Sequence, residues 1–535
     1  STKKFTLSGY VQDARTGEKL IGARVFDSNS RQGTLTNNFG FYSLTLPEGE
    51  VKLVASYSGF QRSEQDIQLK EDLTLNLSIS EYQLNEVEIV AEDIERIEDQ
   101  TEMSVVDIPI RQIKLMPALL GEVDVIKAVQ LMPGVQSGNE GSSGLYVRGG
   151  GPDQNLILLD DVPLYYVSHL GGFFSVFNAD AIKSVKLTKG GFPARYGGRL
   201  SSVLDIRMKE GDMHEFHGEG SVGLISSKLS LQGPIVKGKS SFIISGRRTY
   251  ADLFTRPISR IATQGRSSFG YHFYDLNGKV NHTFSDKDRL YFSFYLGDDK
   301  LGITASDKEG EAGQEGYAEY NLKNTTVWGN RMGALRWNHI WGPKLFSNLT
   351  ATYTRYGFRA DNDVLDAYTY QGDTALVTQT SEGSLNYGSG IEDLGLKLDF
   401  DWYPGPNHSI KFGVASTYHT FTPGILGVKY GSNTESAIDT TLSQQLTTAF
   451  ETSAYVEDEF KIGNRFSGNI GLHGVHYHVN NKSYWSLQPR SSIRFKLNKR
   501  LSWKASMVEM VQFVHLLSNS GAGLPIDLWV PATDR

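Results

Sequence analysis

The 535-residue chain contains no cysteine, an absence that removes disulfides, thiol nucleophiles and cysteine-ligated zinc. Nor does it hold an apolar run approaching the ~20 residues a membrane helix needs, so helical spanning is excluded. A barrel is not excluded, because barrel strands are short and only alternately apolar. Basic excess is lacking too: 53 Lys plus Arg against 60 Asp plus Glu give a formal net charge of −7, with no electrostatic footprint for nucleic acid. No serine sits in a G-x-S-x-G elbow, and in the 213–217 run MHEFH the second histidine falls one residue early for a helical H-E-x-x-H pair. No enzyme activity, cofactor or metal is expected. What the chain does have is 56 glycines, 26 tyrosines and 27 phenylalanines, spread over a length too great for one hydrophobic core.

The clearest periodicity lies in the second half. Leu394, Leu396, Leu398, Phe400 and Trp402 alternate with Gly395, Lys397, Asp399 and Asp401. The same rule holds at Leu290, Phe292, Phe294 and Leu296, and at Ile493, Phe495 and Leu497. Strict period two with one apolar face predicts half-buried strands. Short turns at 285–288, 342–344, 404–407, 462–464 and 498–500 alternate with polar stretches at 299–319, 360–389 and 424–444, which read as long loops. Short connections at one end and long ones at the other predict an antiparallel transmembrane β-barrel over 213–535. Within it, DNDVLD (361–366) reads as solvated loop, and the histidines of 471–479 as polar lumen lining.

Three units precede it. Residues 1–82 hold six or seven short alternating segments separated by turn residues, predicting a small β-sandwich; Tyr42, Leu44 and Leu46 share one face, Phe41, Ser43 and Thr45 the other. Residues 83–107 form an acidic linker with one β-prone patch. Residues 108–212 predict a glycine-dense α+β domain. In it Leu119–Met132 has helical spacing stopped by Pro133-Gly134, and Asp160 and Asp161 read as a turn whose carboxylates bond its own amides.

The segments LYVRGGGPDQNLILLDDVPLYY and NADAIKSVKLTKGGFPARYGGRLSSVLDIRM, within 145–209, resemble the plug domain of TonB-dependent outer-membrane receptors. SGYVQDARTGEKLIGARV and TNNFGFYSL resemble the carboxypeptidase-regulatory-like domain, and the order sandwich, plug, barrel looks like receptors of the Bacteroidota. The fold class is therefore mainly β: sandwich, plug, then transmembrane barrel. About twelve strand candidates lie between His217 and Ser518, whereas plugged transporters have 22, so roughly the first half of a barrel is expected.

The resemblance implies energised import of a large scarce solute (glycan, peptide or siderophore) across the outer membrane, with the sandwich and linker in the periplasm. A non-transporting barrel scaffold in an envelope assembly or export complex is the alternative. It also implies a TonB-type energy-transducing partner gripping Glu86, Val87, Glu88, Ile89, Val90 and Ala91 as an added strand. Outer-membrane lipid and, by likeness to the SusC type, a SusD-like surface lipoprotein lid complete the partners. Arg148, Arg195 and Arg199 border glycine turns in an inserted domain, so at least one is expected to pair with a wall carboxylate. Tyr165, Tyr166 and His169 fall in the loop 164–174, where they either contact ligand or pack against the wall.

Overall fold

The computed structural model describes residues 3–82, 104–116, 122–137, 144–433, 437–443, 446–463, 465–498, 501–518 and 527–533. The N-terminal unit has eight strands in two four-stranded sheets. Its first sheet centres on Lys4–Asp13, antiparallel to Phe41–Pro47. Alternation assigns the faces as expected: Tyr42, Leu44 and Leu46 join Leu7, Val11 and Leu53 in the sandwich core. Phe41 on the opposite face is equally buried, because that face rests on another part of the molecule.

The plug has a five-stranded sheet running in space Val162–Pro163, Asn155–Leu159, Ser202–Met208, Ile182–Lys189 and Val105–Pro109. Asn155–Leu159 lies parallel to Ser202–Met208, and every other pairing is antiparallel. Of the helix expected over 119–132, Val125–Gln130 forms. The Asp124 side chain caps it by accepting from the Lys127 amide at 3.0 Å, and the chain turns out at Gly134 with φ of 77°. Residues 117–121 lie outside the described residues.

From His217–Val222 to Leu501–Val508 the chain builds one antiparallel sheet of fourteen strands; thirteen follow the sequence in space, and Ile438–Ser443 branches off His408–Ser432. Between His217 and Ser518 fifteen described strands form, fourteen of them in this sheet, against the twelve or so that the alternation indicated. His217–Val222 (HGEGSV) lacks an apolar alternate, and Ile438–Ser443 sits inside a polar stretch beside His408–Ser432. Among the described residues the first and last strands of this sheet do not pair with each other.

The face assignment is unambiguous. On Asp288–Glu309, Tyr291, Ser293, Tyr295 and Asp299 are buried against the plug, while Phe292 and Leu296 point outward and stay exposed. The same outward belt carries Leu394, Leu396, Trp402, Val414 and Trp503. An uncovered apolar stripe of this extent is what a hydrocarbon surrounding would satisfy.

Three expectations are corrected here. The polar stretches 299–319, 360–389 and 424–444 are mostly strand: Asp288–Glu309, Leu345–Gln371, Leu376–Gly405 and His408–Ser432 run 22, 27, 30 and 25 residues, and Ile438–Ser443 adds another 6. A tilted crossing needs only ~9–11, so their ends project beyond the belt with both faces wet and no apolar period. DNDVLD is part of such an extension, paired with Ser381–Asn386. Of the histidines in 471–479 only His473 faces inward, its Nδ1 donating to the Ala194 carbonyl at 2.8 Å; His476 stacks outside on Trp485.

The candidate functional site between plug and wall

The plug lies against the inward face of the sheet, held by ion pairs, hydrogen bonds and two apolar clusters. Segment 168–175 provides the densest set. His169, only 1% exposed, stacks on Phe273 with ring centroids 4.0 Å apart and planes 4° apart. Its Nδ1 is 2.6 Å from Asp299 and its Nε2 2.8 Å from Asp275. Both ring nitrogens thus face carboxylates, which only the doubly protonated ring satisfies with two donors. Burial works against that charge, but Asp275 and Asp299 outweigh it and raise the His169 pKa to about 9.

The carboxylates are themselves tied down. Tyr295 donates to Asp275 at 2.6 Å, and Arg247 bonds Asp275 at 2.7 Å through Nε and the plug carbonyl of Ser175 at 2.7 Å. Arg247 also lies 3.4 Å from Glu122 of the plug. Alternation on Ser267–Thr283 brings these groups together: Asp275, Asn277, Lys279 and Asn281 all point inward and are buried.

Asp160 and Asp161 do not close their own turn. Both adopt left-handed backbone, φ 50° and 72°, which Asp tolerates better than most residues. Asp161 receives both guanidinium arms of Arg207 at 2.6 Å and lies 3.5 Å from Arg336 of the wall. Asp160 accepts from the Met208 amide at 3.0 Å and pairs with Lys279 of the wall at 3.0 Å. Burial would raise the Asp161 pKa, yet Arg207 more than reverses this and holds the carboxyl well below its usual range.

The three arginines singled out in the sequence fare differently. Arg195 reaches Glu457 on the strand Thr447–Ile462, Nη1 to Oε1 at 2.6 Å, and its amide donates to the other oxygen at 3.2 Å. Arg148 stays within the plug, on the Ser104 hydroxyl. Arg199 donates to the Gly198 carbonyl at 2.8 Å and lies 6.0 Å from the ring of Trp529. A fourth arginine that the sequence did not flag, Arg490 on the wall, donates to the plug carbonyls of Phe192, Pro193 and Tyr196 at 3.2, 2.8 and 2.6 Å.

Tyr165 and Tyr166 are half-buried in an aromatic cluster with the wall. The Tyr165 hydroxyl donates to Asp393, and its ring meets Trp529 edge-on at 4.8 Å. Tyr166 lies 5.6 Å from Tyr356, and its carbonyl accepts from Asn330. His169 is closed off beneath them rather than open to a solute. The segment Glu86–Ala91 lies outside the described residues.

The sandwich adds a third party at the short-turn end. Phe41 stacks on Phe346 at 5.3 Å and 21°, Phe39 on the same ring at 5.4 Å. Asn37 donates to Asp401 at 2.7 Å, Ser43 to the Pro343 carbonyl at 2.7 Å, and Arg289 covers Tyr10 at 3.6 Å. Arg336 lies 5.2 Å from the Phe39 ring while facing Asp161, so sandwich, plug and wall meet at one guanidinium.

A sheet with an apolar outer belt and a glycine-rich plug held on its inward face defines a plugged outer-membrane receptor. Family models agree in the same order along the chain. The CarboxypepD_reg-like domain matches residues 7–90, the TonB-dependent Receptor Plug Domain 99–202, and the TonB dependent receptor-like beta-barrel 260–507. The chain belongs to the TonB-dependent receptors.

Among curated proteins none matches the sequence significantly. Solved structures similar to it include FpvA of Pseudomonas aeruginosa bound to heterologous pyoverdines, at 13% identity and TM-score 0.48, covering 80% of this chain and 58% of that one. BauA, the ferric preacinetobactin receptor from Acinetobacter baumannii, is 11% identical with TM-score 0.48, over 82% of this chain and 67% of that one. The siderophore receptor PirA from Acinetobacter baumannii is 14% identical with TM-score 0.32, over 81% and 84%.

Proposed function

We propose that this receptor imports a large solute across the outer membrane, powered by a TonB-type protein that grips Glu86–Ala91 from the periplasm. The character of the plug–wall contact carries this reading. His169 with Asp275 and Asp299, Arg195 with Glu457, and Asp160 and Asp161 with Lys279 and Arg336 are charged pairs. Buried ion pairs fix geometry but contribute little net stability against their hydrated state, so they suit a contact that must open and re-form. The aromatic groups at Tyr165 and Tyr166 supply the surface against which a solute would rest, and solute class is left open among glycan, peptide and siderophore. A surface lipoprotein lid would cover the projecting strand ends. Nothing in this scheme requires catalysis.

Deleting residues 86–91 tests it. The variant is expected to fold and insert normally, to lose capture of the host TonB-type protein's C-terminal domain, and to abolish energy-dependent uptake in cells. Uptake or growth support undiminished by the deletion would favour the scaffold instead.

A further inference from the structure

The helix Ala251–Ala262 follows the strand Ser240–Thr249 at once, and that strand is 10 residues long. A tilted barrel strand crosses the hydrocarbon in ~9–11 residues, so a helix placed there starts at the membrane surface opposite the short turns. Its side of the sheet is fixed by alternation. On the neighbouring strand Ser267–Thr283, Phe273, Asp275 and Lys279 point inward, so Gly270, His272 and Tyr274 point outward. The helix packs on that outer side. Asp252 lies 3.5 Å from both His272 and Arg248, and Ser259 accepts from the Phe269 amide at 3.0 Å. Gly270 permits the approach, since a Cβ there would sit 2.3 Å from the Arg256 side chain.

Held in this way, the helix turns a wholly apolar face away from the protein. Leu253, Phe254, Ile258 and Ile261 are 61%, 57%, 64% and 79% exposed. Successive positions at 100° place all four within one side of the helix. Outward Tyr274 and Val280 continue the surface into the belt below. Of the flanking charges, Arg248 faces Asp252 and Arg266 lies 3.9 Å from Asp307, so the helix's basic edge is carried by Arg256 and Arg260. An amphipathic helix of this kind lies in the interface plane, its apolar side among acyl chains and its cations on headgroups.

We propose that Ala251–Ala262 is a membrane-surface anchor, seated in the leaflet opposite the short turns and binding phosphate-bearing lipid headgroups through Arg256 and Arg260. Continuity with the outer belt and charge complementarity choose lipid over a protein partner. The inference goes beyond the transport reading and depends only on the sheet lying in a membrane.

Because the chain has no cysteine, a nitroxide at Ile258→Cys reports from one place. The full-length protein goes into nanodiscs of phosphatidylcholine with phosphatidylglycerol, with Asp373→Cys as aqueous control and Leu394→Cys as belt control. Collision with oxygen is expected to exceed collision with a water-soluble nickel chelate at positions 258 and 394, and the reverse at 373. A dry label at 394 with a wet one at 258 overturns the anchor alone and leaves that face to a protein. Wet labels at both overturn the membrane placement as well. Arg256→Gln with Arg260→Gln is expected to cut retained phosphatidylglycerol several-fold by native mass spectrometry; unchanged retention overturns the headgroup role.

Discussion

The Nε2 of plug His169 lies 2.8 Å from Oδ1 of wall Asp275, inside a site that solvent scarcely reaches. Its pKa is raised to about 9, after burial, which lowers it, is outweighed by Asp275 and Asp299. A base whose folded pKa exceeds its unfolded value of ~6.5 stabilises most below that value. The contact should therefore be intact at pH 6 and fade as pH rises through 9. Hydrogen exchange of the amides in 168–175 is expected to quicken across pH 8–10 beyond the intrinsic base dependence, and His169→Gln should remove the extra dependence.

Arg195 and Glu457 offer a cleaner energetic measurement. Removing one partner of a buried pair leaves the other charge uncompensated, at a cost of about 3–5 kcal/mol. Arg195→Ala and Glu457→Gln should each loosen the plug, while the double variant should cost clearly less than their sum. Additive effects by thermal or denaturant unfolding would show that the 2.6 Å contact carries no coupling.

The sandwich seat rests on rings outside the sandwich core, so it can be broken without unfolding the domain. Phe41→Ser with Phe39→Ser is expected to release the domain with its core intact. A thiol placed at Asn37→Cys should then react with maleimide at least tenfold faster than in the parent. The loss per ring pair is about 0.5–1.5 kcal/mol beyond the buried area.

Gly211 joins plug to wall with φ of 84°, and a Cβ there would stand 2.2 Å from the Phe242 carbonyl oxygen. Backbone strain of about 1–3 kcal/mol plus this clash should make Gly211→Ala strongly destabilising. A lowered unfolding temperature of the reconstituted protein checks it; an unchanged one would mean the junction yields freely.

Much of the architecture was legible because it is periodic. Leu394 to Trp402 declared both strand and facing, and Tyr42, Leu44 and Leu46 declared the sandwich core. Residues 360–389 misled because strand ends that stand in water on both sides have no reason to alternate. The helix Ala251–Ala262 was hidden by Pro257 in its middle, which reads as a break, although Leu253, Phe254, Ile258 and Ile261 carry helical spacing. Ion-pair partners were illegible for another reason. Arg195 and Glu457 are 262 positions apart, and their meeting depends on the register of every strand between. Asp160 and Asp161 were assigned to their own turn because local bonds are all a sequence window can display.

The described chain leaves the sandwich at Tyr82 and re-enters at Ser104, directly ahead of Val105–Pro109. That strand is one of the two edge strands of the plug's five-stranded sheet and, among the described residues, pairs only with Ile182–Lys189. Tension arriving from residue 103 would meet this border first. On the import reading proposed above, a pull through the linker loads the Val105–Pro109 to Ile182–Lys189 pairing before any other pairing of that sheet.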